Sequence, residues 1–407
     1  MSDGSLRWDW AGIVSAVEIG LEKAMAEGPV ASIGVDGWGV DYGLLDRAGE
    51  LVALPFSYRD GRTAAWESTA GAIGVDHLYE VTGVQLMGIN TVFQLASHDR
   101  DELRRAARVM LLPDLMVHHL VGFDGAERSN ASTTGLMDAR TGNWDWGIID
   151  AVALDRSLFP ELVPAGTLAG SWRGVPVHIV GSHDTASAFL GMPGAGPGSV
   201  FVSTGTWVLV GIERAEADTS TAARSANFSN EAGAFGGVRF LKNVIGFWIL
   251  DQCRSGWGDP PIEALFDEAS LVDKSVSKFD AGDDRFLTTS NMEQEVRTAA
   301  GIPGDAPRSV IVRSVLESIV DGIGRVVDQI ATITGQNLKR IVVVGGGARV
   351  GLMNEMLAER TGLTVVRGSP EATALGNAVA QGVALGRFAG VAEGRRWLEA
   401  TGESRVA

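Results

Sequence analysis

Asp184 stands inside Gly181-Ser182-His183-Asp184-Thr185-Ala186-Ser187-Ala188, between an apolar run, Val177 to Val180, and a stretch that reads as a helix. A carboxylate at the end of a strand in an open α/β sheet lies where ligands bind. It can accept a proton from a weakly nucleophilic hydroxyl. It can equally cap the helix that follows, and so can Thr185. Ser203-Thr204-Gly205-Thr206 is a small-residue turn between two apolar runs. Its amides and hydroxyls can gather round a phosphate, with Thr206 and Gly205 foremost, or simply close a hairpin. Gly345, Gly346 and Gly347 follow a β-branched run and offer bare backbone to a ring or ribose, although their spacing is not a dinucleotide fingerprint. Pro370 to Asn377 opens another helical stretch. An acid, a hydroxyl-rich turn and a glycine cluster, each after a strand, point to phosphoryl transfer.

The elements that must hold these residues are legible in outline. Apolar side chains at Ile13, Val14, Val17, Leu21 and Met25 predict a helix that ends at Gly28-Pro29. Strands are expected at Val30 to Val35 and Val40 to Leu45, with a turn at Asp46 to Gly49 and a third strand after it. Helices dominate from about 62 to 121, around a short apolar run at Val109 to Leu112. Residues 122 to 176 are mixed, and the domain boundary is placed there: 1–175 and 176–407. In the second part, strands are expected at Val177 to Gly181, Val200 to Ser203, Val208 to Ile212, Lys339 to Val344 and Thr364 to Arg367. A long periodic helix is expected from about Arg308 to Thr334.

Composition narrows the partners. Acidic residues outnumber basic ones, 50 to 34, for a net charge of −16 over 407 residues. Such a field disfavours nucleic acid and anionic membranes, yet backbone amides or a metal can still hold phosphate locally. The single cysteine, Cys253, excludes an intrachain disulfide and fits a reducing, cytoplasmic setting. No zinc-ligand spacing occurs, and the adjacent His118 and His119 read as ordinary structure. Monomer and homodimer are both open.

The stretches around Asp184, Ser203 to Trp207 and Pro370 to Asn377 resemble the FGGY family of carbohydrate kinases. Asp36-Gly37-Trp38-Gly39-Val40-Asp41, Tyr58 to Thr63, Asn230-Glu231-Ala232-Gly233 and Leu241-Lys242-Asn243 resemble its branch acting on L-rhamnulose. The resemblance implies an α/β, actin-like, ribonuclease-H-like duplicated fold, with a sugar-binding first domain and a nucleotide-binding second one. It implies ATP and magnesium, transfer to L-rhamnulose giving L-rhamnulose 1-phosphate, and a meeting of sugar and nucleotide between the domains. By the same resemblance Asp184 is the general base. His183, Thr185, Gly39, Trp38 and Asn243 contact the sugar, and Thr206, Gly205, Gly345, Gly346, Gly347 and Asn377 contact the nucleotide. Trp38 and Gly39 can also be read as a bulge with a core indole and Asn243 as a helix cap; Asp36 and Asp41 can pair with substrate or water-bound magnesium, or equally be strand-end turn residues. The family pattern departs in places. Gly37 and Gly61 replace hydroxyl residues, and Asp251 stands for a glutamine. No Asp-x-Gly phosphate loop is found ahead of residue 9, so the first domain is expected to lack its N-terminal strands. Alternatives are therefore a truncated, weakly active sugar-binding protein, or a kinase for L-fuculose or D-xylulose.

Overall fold

The computed structural model describes all residues except 1–3, 195, 273–275, 284, 290, 401–404 and 407. The chain divides into two units. The first comprises 1–191, 214–240 and 373–396; the second comprises 192–213, 241–372 and 397–407.

In the first unit the helix Trp10–Glu27 forms as its periodicity predicts. The Asp9 carboxylate caps it by accepting from Gly12 N at 3.0 Å. Its apolar stripe packs on Ile33, Val117, Val177 and Ile179. Strand β1 (Tyr42–Leu45) pairs antiparallel with β2 (Arg108–Leu111), over a core that includes Val92, Phe93, Leu136 and Ile148. Two expected strands are not continuous. The run Val30 to Val35 makes only an isolated parallel bridge at Ile33 with Val177, and the next bridge joins Gly37 to His183. Four steps on one segment face six on the other, so a regular ladder cannot form. After the turn at Asp46 to Gly49, only Leu51 bridges back, to Leu45. Pro55, which has no N–H to give a ladder, follows closely.

Short strands β3 (Gly125–Glu127) and β4 (Glu161–Val163) pair in parallel. β5 (Leu168–Trp172) and β6 (Val175–His178) form a hairpin. β6 stops earlier than the expected Gly181, because Ser182 turns to bond the segment carrying Gly37. The helix Asp184–Leu190 follows at once.

In the second unit β7 (Ser199–Thr204) and β8 (Trp207–Arg214) form the expected hairpin through Gly205 and Thr206. β9 (Ser229–Ala232) and the first residues of β10 (Val238–Ile245) belong to the first unit; after them come the helix Arg308–Thr334, β11 (Arg340–Gly345), β12 (Thr364–Arg367) and β13 (Arg405–Val406). The sheet order is β13-β12-β11-β7-β8-β10-β9. β11 runs parallel to both β7 and β12. Its β-branched Ile341, Val342 and Val343 are fully buried, as are Ile311, Val315, Ile319 and Ile323 at four-residue steps on the long helix. The parallel register sets Thr204 beside Gly345, so two carboxyl-terminal strand ends lie together.

Candidate active site

The first cluster is built in the first unit on the link between β6 and the helix that starts at Asp184. Gly37 N donates to Ser182 O at 2.9 Å, and Asp184 N donates to Gly37 O at 2.7 Å. Gly37, which replaces a hydroxyl residue of the family pattern, is thus a backbone clamp on the catalytic candidate. Ser182 is held from the other side by Glu127, whose Oε2 accepts from Ser182 N at 3.0 Å and from its hydroxyl at 3.1 Å.

The capping alternative for Asp184 does not survive. His183 occupies the cap position and makes no side-chain cap bond, while Asp184 is the first residue of the helix. The Asp184 carboxylate accepts from the Thr185 hydroxyl at 3.1 Å and lies 3.5 Å from His183 Nε2. Its side chain is 44% exposed, against 10% for His183. Thr185, itself buried, steadies that carboxylate instead of capping.

Asp36 adjoins this carboxylate. Burial pushes its pKa up to about 6; a bond from Asn377 lowers it, the negative charge of Asp184 raises it further and His183 lowers it. Asn377 Nδ2 donates to Asp36 Oδ2 at 2.5 Å and to Gly34 O at 3.2 Å, and its Oδ1 accepts from Gln381 at 2.7 Å. Asn377, expected among nucleotide contacts, therefore belongs to the first unit beside Asp36, with its amide engaged. The sign of the linkage follows. Asp36 favours its proton more in the folded chain than in the unfolded one. Its stabilising contribution is full below pH about 4 and is lost as pH rises through about 6. Asp36→Asn should then be more stable than the parent near pH 7 by roughly 3 kcal/mol, at about 1.4 kcal/mol per pKa unit. Urea unfolding of both proteins at pH 4 and pH 7 measures this, and equal differences at the two pH values would refute it.

Trp38 and Asp41 carry a different duty. The Trp8 and Trp38 indoles donate to Asp41 Oδ2 at 2.7 and 3.0 Å, and their ring centroids lie 4.6 Å apart. Asp41 is fully buried, and burial raises its pKa against the pull of these donors. It fixes the indole wall and cannot reach a ligand. Gly39 faces Thr133 and Asn130; a Cβ there would lie 3.0 Å from the Thr133 hydroxyl. The buried Asn130 amide has no hydrogen-bond partner among the described residues.

The second cluster belongs to the second unit. Thr204 donates its hydroxyl proton to Val344 O at 2.6 Å and accepts from Gly347 N at 2.8 Å, which ties β7 to the turn after β11. Gly345 has φ +78°, and a Cβ there would lie 2.2 Å from Thr204 O. A Cβ on Gly347 would lie 2.7 Å from the Thr204 hydroxyl oxygen. These two glycines are consumed by packing. Gly346 is different: it is exposed, and a Cβ on it would meet nothing within 4 Å. Gly205 and Thr206 are exposed as well. Bare, open backbone at the ends of adjacent parallel strands fits a nucleotide. Gly346→Leu is expected to leave the melting temperature unchanged and to raise KM for ATP about tenfold or more, the effect of losing roughly 1.4 kcal/mol of binding. Titration with ATP at saturating sugar, with melting alongside, tests it. Asn243 lies within β10, not at a helix start, so the capping alternative falls here too. Asp251 sits half-buried in the helix Trp248–Gly256.

Residues 2–191 match the N-terminal domain of the FGGY family of carbohydrate kinases, and residues 200–385 match its C-terminal domain. The chain belongs to this family. Among curated relatives of this FGGY kinase, a rhamnulokinase of Enterococcus faecalis is 34% identical over 98% of this chain and 84% of its own length. A rhamnulokinase of an Enterobacter species is 34% identical over 91% of this chain and 78% of its own. The fold matches a gluconate kinase and a xylulose kinase from Lactobacillus acidophilus, each with TM-score 0.80 at 13% identity, covering 100% of this chain and 85% of theirs. Plasmodium falciparum glycerol kinase with ADP matches at TM-score 0.76 and 16% identity, over 98% of this chain and 85% of its own. The FGGY kinase is a two-domain α/β carbohydrate kinase. Among its described residues no helix is long and apolar enough to cross a membrane.

Two groups beside the candidate residues carried no flag in the sequence, Glu127 and Arg239, and Glu231 entered only as part of the stretch Asn230 to Gly233. Arg239 had an available signal, since it interrupts an apolar strand between Val238 and Phe240. Glu127 lies in the polar stretch Glu127 to Thr134, and nothing in its composition marks it as fully buried.

Proposed function

We propose that this carbohydrate kinase transfers the γ-phosphoryl group of ATP to the 1-hydroxyl of L-rhamnulose, giving L-rhamnulose 1-phosphate and ADP in the cytoplasm. The observation that carries the reading is the Asp184 carboxylate: half-exposed, excused from capping, and braced by Gly37 and Thr185. Asp184 accepts the hydroxyl proton as the new O–P bond forms and the bond to the departing ADP breaks. His183 and the Trp38 wall orient the ketose, and the open backbone at Gly205, Thr206 and Gly346 receives the nucleotide. Bound ATP supplies the group transferred. Among the described residues there is no cluster of three or more His, Cys, Asp or Glu that could hold a metal. Magnesium bound with the nucleotide would neutralise charge on its phosphates.

The rhamnulose assignment rests on curated relatives of that name, among them the two described above, and on the length of chain they share. ADP release measured with L-rhamnulose, L-fuculose and D-xylulose tests it. The highest kcat/KM is expected with L-rhamnulose. A higher value with either other sugar overturns the substrate and leaves the sugar kinase.

A further inference from the structure

Asn230-Glu231-Ala232 forms most of β9, and its acid has no part in the reaction described above. Glu231 is buried, and so is Arg239 on β10. Glu231 Oε2 lies 3.3 Å from His183 Nδ1 and 3.2 Å from Arg239 Nη2. Arg239 Nη2 lies 3.3 Å from the same His183 Nδ1 and 3.3 Å from Ala232 O. On its other side, His183 Nε2 faces Asp184 Oδ1 at 3.5 Å.

The contacts at Nδ1 exclude one another. Guanidinium only donates and carboxylate only accepts, so Nδ1 must either accept from Arg239 or donate to Glu231. Donation to a carboxylate is the stronger, charge-assisted choice. It also gives a donor to the buried Glu231 Oε2, which otherwise has no hydrogen-bond partner among the described residues, while Arg239 Nη2 keeps Ala232 O as an acceptor. Burial alone would raise the pKa of Glu231, yet the charge of Arg239 and the contact with His183 bring it below the usual value. Glu231 is thus an ionised acceptor.

We infer that Glu231, held ionised by the buried Arg239, is a positioning residue that fixes His183 in its Nδ1–H tautomer and leaves Nε2 bare as the acceptor for a ketose hydroxyl. The inference rests on the reading of His183 as a sugar ligand. It adds a direction to that contact: the sugar hydroxyl donates, and the imidazole accepts. A second consequence is that His183 in this state does not donate to Asp184, whose carboxylate, bonded by Thr185 alone of these two neighbours, stays available for the proton of the reacting hydroxyl.

Nitrogen-15 NMR of the whole chain tests the tautomer directly. Six histidines are present, and His183→Gln identifies the pair of signals that belongs to residue 183. Without sugar, a protonated Nδ1 and a bare Nε2 are expected. A protonated Nε2, whether Nδ1 is bare or protonated, overturns the inference. Glu231→Gln is expected to mix the tautomers and to raise KM for the ketose about 10- to 100-fold, the range for losing a hydrogen bond to a charged group, with a smaller change in kcat. Unchanged tautomer and unchanged KM in that variant overturn it as well. If the variant does not fold, the parent spectrum still decides. If the spectrum is as expected but His183→Gln leaves KM unaltered, the sugar-ligand reading fails while the tautomer stands.

Discussion

Asp184→Asn is expected to lower kcat with the best ketose about 100- to 10,000-fold, the usual yield of a positioned base. The amide keeps the shape and can still accept from Thr185, but it cannot take the hydroxyl proton. KM for the sugar should move much less, because the contacts assigned to His183 and Trp38 are untouched. The competing role for this aspartate predicts a different pattern. Losing a helix cap costs about 1 kcal/mol of stability and spares the chemistry. The helix amides that a cap at Asp184 would satisfy are already taken: Ala186 N and Ser187 N donate to His183 O at 2.8 and 3.1 Å. The variant should therefore melt with the parent. Coupled ADP release and a thermal melt, run on the same preparation, separate the two. A drop in melting temperature with kcat intact would remove Asp184 from the chemistry.

The parts of the fold that the sequence made legible are those with local causes. The helix Arg308–Thr334 and strand β12 carry complete periodic or β-branched patterns, and both form at the expected bounds. The β7–β8 hairpin follows from two apolar runs around a four-residue polar turn. What stayed hidden depends on distant partners. The segment at Val30 to Val35 has the composition of a strand, yet its neighbour carries two extra residues between bridges, and no local pattern reports that mismatch. The same holds for the site. Asp184 and the open Gly346 were marked by their place after strands. Asn377 was assigned to the nucleotide by resemblance alone; its helix returns to the first unit, where its amide reaches Asp36 at 2.5 Å, and no local pattern reports that contact. Glu127 and Glu231 look like surface acids until tertiary structure buries them among serines, a histidine and an arginine.

That returning helix supplies the largest stability effect expected. Gly376 lies on the helix Ala372–Ala384 and packs against the helix Asp184–Leu190 with no side chain between. A Cβ there would fall 1.7 Å from Ser187 O and 2.7 Å from Gly191 N. Both obstacles are backbone atoms, so no rotamer change relieves them, and the helices must separate. Overpacking of this kind costs about 1–3 kcal/mol or more, and a backbone clash belongs at the upper end. Gly376→Ala should lower the melting temperature on the order of 6–12 °C, taking about 3 kcal/mol at 2–4 °C each for a unit of this size. Activity should fall too, although no reacting group is altered. One helix begins with Asp184 and the other carries Asn377, and displacing reacting groups by about 1 Å can cost a hundredfold. Gly390→Ala is the control, since its Cβ would meet nothing within 4 Å. Calorimetry and kcat for both variants decide the matter: if Gly376→Ala melts with Gly390→Ala and the parent, the two helices do not cross at backbone contact, and the bracing of Asp184 by this crossing falls with it.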